Sequence, residues 1–123
     1  MFKIVNKNQI LINRGDIGTI ELTIPLDDGS DYVFAVGDTI TFDVYPVDSY
    51  QVNPLIHKEV NIEDEGITQI EISLTSDDTR IGPIINKPVR YWYEIQLNHE
   101  QTILGYDTNG PKIFMLYPEG VDA

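Results

Sequence analysis

Strict alternation of apolar and polar residues, repeated along the chain, restricts this sequence to β-structure. The clearest stretch sets Val89, Tyr91, Tyr93, Ile95 and Leu97 on one parity, with Arg90, Trp92, Glu94, Gln96 and Asn98 on the other. Successive strand side chains point to opposite faces, so one face of this segment is apolar and the other wet. Ile20, Leu22 and Ile24 repeat the pattern, as do Tyr32, Phe34 and Val36, then Ile40, Phe42 and Val44, and then Ile70, Ile72 and Leu74. No segment of comparable length carries helical spacing.

Between these runs lie clusters of turn formers at 14–16, 27–31, 37–38, 63–66, 98–101 and 107–111. A short strand is expected over Ile10, Leu11 and Ile12, a weaker one over Ile56, Lys58, Val60 and Ile62, and another over Thr102, Leu104 and Tyr106. The polar stretch 46–54, bounded by prolines, reads as a projecting loop. One short helical turn is expected near residues 76–81, with Ser76 as its cap and Asp77 and Asp78 suited to a helix start. Ile113, Phe114, Met115, Leu116 and Tyr117 are apolar on both parities. Such a strand is covered on each side, or its outer face meets a partner.

Short strands with turns every eight to twelve residues predict an all-β fold, an immunoglobulin-like antiparallel β-sandwich of about eight strands, with an open β-barrel as the alternative. Its core would hold Ile20, Leu22, Ile24, Phe34, Ile40, Phe42, Val44, Ile70, Ile72, Leu74, Tyr91, Tyr93, Ile95 and Leu97. A single domain is expected over residues 1–123, with its core in 10–117 and a polar tail in 118–123.

Charge narrows the partners. The chain carries 20 acidic and 8 basic residues, a formal net charge of −12. That field repels nucleic-acid phosphates and anionic membranes, so neither is expected to bind. Scattered acids serve solubility first; the sharper reading is mimicry of a polyanion or contact with a basic partner. Cysteine is absent, which removes disulfides and thiolate chemistry. The first residues lack the apolar run of a signal peptide, and no run of eighteen apolar residues marks a membrane span.

Catalytic constellations are hard to assemble. His57 and His99 are the only imidazoles, and neither lies near a serine in an elbow-type turn. The acids are too numerous for any one carboxylate pair to indicate glycoside hydrolysis. No enzyme activity and no cofactor are expected. Asp27, Asp28 and Asp31 crowd one turn and are the calcium candidates, with acids at 63–65 and 77–78 as further clusters. Aspartate is common in turns for its own hydrogen bonding, which is the plainer explanation. Arg14-Gly15-Asp16 spells an integrin-binding tripeptide but is also an ordinary turn before a strand. Trp92 stands out, because alternation turns it away from Tyr91 and Tyr93, towards Arg90 and Glu94. A large aromatic there is covered by a loop or offered to a partner. Trp92, Arg90, Glu94, Tyr45 and Tyr50 are therefore the interface candidates.

The order of elements resembles a known group. Asn13-Arg14-Gly15-Asp16-Ile17-Gly18-Thr19-Ile20-Glu21-Leu22-Thr23-Ile24 precedes an acidic glycine turn and then Tyr32-Val33-Phe34-Ala35-Val36-Gly37-Asp38-Thr39-Ile40-Thr41-Phe42-Asp43-Val44. Ile56-His57-Lys58-Glu59-Val60, Leu74-Thr75-Ser76-Asp77-Asp78-Thr79 and Tyr91-Trp92-Tyr93-Glu94-Ile95-Gln96-Leu97 follow. Together they resemble small β-sandwich modules of bacteriophages of Gram-positive hosts, similar to the N-terminal domain of upper baseplate proteins. The resemblance implies a non-enzymatic virion structural protein of the tail, baseplate, fibre or capsid. Its partners would be other virion proteins in a symmetric, multimeric assembly, and it would reside in the host cytoplasm before assembly. No coiled coil or receptor-binding region is expected after the sandwich, unlike in the large baseplate proteins. A carbohydrate-binding module for host-surface glycans is the alternative, and an acidic anti-host protein imitating nucleic acid the third reading.

Overall fold

The computed structural model describes residues 1–5, 8–47 and 53–120. Along them run β1 (Phe2–Val5), β2 (Gln9–Asn13), β3 (Gly18–Leu22), β4 (Thr39–Pro46), β5 (Ile56–Asn61) and β6 (Ile70–Leu74). After these come α1 (Ser76–Thr79), β7 (Val89–Leu97), β8 (Gln101–Leu104) and β9 (Lys112–Tyr117). A seven-stranded sheet has the order β1-β2-β9-β7-β4-β5, with β8 also paired to β7, and β3 pairs with β6 in a second sheet. The fold is an all-β sandwich, and the sheets do not close into a barrel.

The alternating residues form the shared core. Phe42, Val44, Tyr93 and Ile95 from the large sheet and Ile20, Leu22, Ile72 and Leu74 from the small one are all buried. Phe42 packs against Tyr93 and Phe114 with ring centroids 5.4 and 6.4 Å apart. Ile24 alone of the expected core set is only partly buried, because β3 ends at Leu22.

Several expectations need correction. The large sheet is not purely antiparallel: β2 runs parallel to β9, since the chain crosses to the small sheet after β2 and returns to its flank only at the end. Residues 32–36 are not a strand. The Asp38 carboxylate accepts hydrogen bonds from the Tyr32 hydroxyl (2.7 Å), the Ala35 amide (2.8 Å) and the Asn98 side chain (3.0 Å). Those bonds curl the segment into a strap with Phe34 buried and Val36 exposed. A strand was not foreseen at β1, where adjacent Ile4 and Val5 blur the alternation. Its Phe2 ring lies against Gly18, where any Cβ would come within 2.4 Å of a ring carbon. Thr75, not Ser76, caps α1 through a capping box with Asp78, and Ser76 instead donates to the Gly15 carbonyl (2.8 Å). β8 stops at Leu104, so Tyr106 is exposed. Of the expected polar tail, Pro118 and Glu119 are tied down by Asn13 and Arg14.

The two flanks of the sandwich end differently. Where β5 passes to β6, the strap closes the gap: the Phe34 amide donates to Ile67 (2.8 Å), Gly37 to Ile62 (2.9 Å) and Ile62 to Asp38 (2.9 Å). At the opposite flank a cleft of about 370 Å³ opens beside β3, lined in part by Ile4, Ile10, Leu22, Ile95, Ile103 and Leu104.

Candidate functional site

The outer face of the large sheet is the side that β3 and β6 do not cover. Register brings its candidates together. Across it Tyr45 lies opposite Trp92, and Trp92 opposite Ile113. Beside that row, Arg90 pairs with Met115, and Met115 with Leu11. The next row sets Asp43 between His57 and Glu94.

Trp92 does face outward, as its parity requires, but it is not offered to solvent. Only 3% of its surface is exposed, and its indole N–H donates to the Pro46 carbonyl at 2.9 Å. Its ring tilts over Tyr45, centroids 5.1 Å apart at 32°. Both rings are therefore consumed by a contact within the chain, a geometry aromatic pairs favour. Tyr50 lies outside the described residues. Arg90 is exposed, and Glu94 is half-buried.

Around the buried indole is a hollow of about 490 Å³ lined by Val47, Arg90, Trp92, Tyr106, Pro111 and Ile113. Val47 and Tyr106, at 56% and 66% exposure, form its open rim. Among the described residues its lining holds no carboxylate, histidine or serine, and one guanidinium. The described lining offers apolar contact and the charged donors of Arg90.

The neighbouring polar row is electrostatically uneven. Asp43 and Glu94 are directly opposed carboxylates, an unfavourable cross-strand pair. Burial first, and the Asp43 charge second, push the Glu94 carboxyl above the usual glutamate range, although the Tyr45 hydroxyl (3.5 Å) offsets part of this. His57 Nδ1 contacts the Asp43 carboxylate on the far side. His99 is remote, in the left-handed turn between β7 and β8, where Asn98 and His99 have φ of 54° and 57°.

The remaining candidates serve structure. Asp28 spends its carboxylate on the Ser30 amide (2.9 Å) and hydroxyl (2.6 Å). Among the described residues no group of three or more acidic or histidine side chains, those of Asp27, Asp28 and Asp31 included, is placed to hold a metal ion. Burial raises the Asp78 carboxyl, but the Thr75 amide and Lys58 outweigh it and hold that carboxyl below the usual range. Arg14 of the tripeptide points inward, donating to Glu119 (2.5 Å) and to the Gly82 carbonyl (3.0 Å). Gly15 donates to the Thr79 hydroxyl at 2.9 Å, and Asp16 pairs with the N-terminal amine. The turn is a clasp between β2, α1 and the end of the chain, with little of Arg14 left to meet a receptor.

Sequence reasoning missed the hollow, since Tyr106 and Pro111 reach it through a turn with no periodicity. It also missed Asp38, whose only signal was an aspartate after a glycine. No family model, curated protein or solved structure matches the chain.

Proposed function

We propose that this chain is a non-enzymatic structural protein of a bacteriophage particle, acting through protein–protein contacts in a multimeric assembly. The observation that carries the contact role is the outer face of the large sheet. Leu11, Ile113 and Met115 run beside the Trp92 hollow with no second layer over them among the described residues. Half-buried apolar groups around an anchored aromatic, with an arginine at the rim, make a surface of the kind proteins use to bind one another. The phage context rests on the resemblance of residues 10–117 alone. Stacking of a glycan on Trp92 has less support, because the indole is already covered by Tyr45 and Pro46.

Mass spectrometry of washed particles of the encoding phage tests the reading. The chain should be present at a stoichiometric multiple, and Arg90→Glu with Tyr106→Ala should reduce its incorporation while leaving the isolated protein folded. Absence from the particles overturns the proposal.

A further inference from the structure

We propose that the free edge of β3 accepts an extended basic strand from another protein, which widens the two-stranded sheet and fills the cleft beneath it. This inference concerns a different surface from the outer face and does not depend on the phage context.

Three observations converge on β3. Its only strand partner is β6, and no other hydrogen bond reaches the backbone of Thr19, Glu21 or Thr23 among the described residues. Alternate N–H and C=O groups along this edge therefore point away from β6, as a template for one more strand. Beneath the edge lies the 370 Å³ cleft, whose floor includes Ile10 and Ile95 of the large sheet and whose mouth includes Ile4, 44% exposed. Strand periodicity means that an added segment would send every second side chain into this cleft and the others outward.

Charge specifies those outward side chains. On the outer surface of the small sheet Glu21 stands directly opposite Glu71, and neither has an ion-pair partner among the described residues. Two opposed glutamates weaken a sheet unless a cation lies beside them. A strand with aliphatic residues facing the cleft and Lys or Arg facing outward would place that cation next to Glu21. A second copy is a poor occupant, because a chain of net charge −12 brings more of the same sign.

The occupant is testable with defined peptides and the isotope-labelled full chain. A blocked peptide alternating isoleucine with lysine should shift the Ile20, Glu21 and Leu22 amides in the NMR spectrum and slow exchange along β3. A scrambled peptide of equal charge, a glutamate-for-lysine version and one methylated on its backbone nitrogens should leave β3 unprotected. Glu21→Lys, on an exposed position, should weaken binding by about tenfold, and Ile4→Asp should weaken it as well. Shifts confined to the outer face around Ile113, equal binding by the scrambled peptide, or full affinity in Glu21→Lys would each overturn the proposal. So would β3 protection that appears without peptide as protein concentration rises, since the occupant would then be a second copy.

Discussion

The two flanks of this sandwich receive the same chain and are finished in opposite ways. At the β5–β6 flank the strap of residues 32–38 covers the gap, with Phe34 sunk into the core and Asp38 binding three donors. At the β3 flank nothing among the described residues performs that task, and aliphatic side chains line an open cleft. The difference shows that a small second sheet suffices where a strap exists. Where none does, backbone and apolar surface remain available to other molecules.

Substitutions sharpen this contrast. Phe34→Ala on the closed flank should cost about 3–5 kcal/mol in denaturant unfolding, the usual loss for a buried phenylalanine. Asp38→Ala should cost about 1.5–3 kcal/mol, because the Tyr32, Ala35 and Asn98 donors lose a charged acceptor. That carboxyl is held below the usual range by the Asn98 side chain, then by the Ala35 amide and the Tyr32 hydroxyl. Its folded value is depressed, so its contribution is present above the ordinary aspartate pKa and is lost as pH falls through the lowered one. The acid limb of the stability profile should flatten in the variant. Glu94 carries the opposite sign. Its raised carboxyl contributes stability below the ordinary glutamate pKa that is lost as pH rises through the folded value. Glu94→Gln should remove that loss and raise neutral-pH stability by less than about 1 kcal/mol. On the open flank Ile4→Lys should change stability by under about 0.5 kcal/mol, since the side chain is already half exposed. A large loss there would show that the flank is closed after all.

Much of this contrast was hidden in the sequence, for physical reasons. Period-two alternation marks which side chains share a face, and it placed Ile40, Phe42, Val44 and the core parity of β7 correctly. It also assigned Trp92 to the outer face. Alternation cannot say what covers a face, however, because that depends on register with another strand; Tyr45 and the Pro46 carbonyl meet Trp92 from β4. The same limit explains residues 32–36. Their alternation is genuine and Phe34 is buried, but hydrogen bonds to Asp38 pull the backbone out of any ladder. The open cleft was invisible because it is assembled from β1, β2, β3, β7 and β8 and is made by the absence of a neighbour among the described residues.

Native-state hydrogen exchange on the dilute, unliganded chain compares the flanks most directly. The amides of Phe34, Gly37 and Ile62 bond the strap to the β5–β6 connection and should exchange only through large-scale unfolding. Every second amide between Gly18 and Leu22 should exchange orders of magnitude faster, through the unpaired edge. Equal protection of both sets, with the chain monomeric, would contradict the open flank.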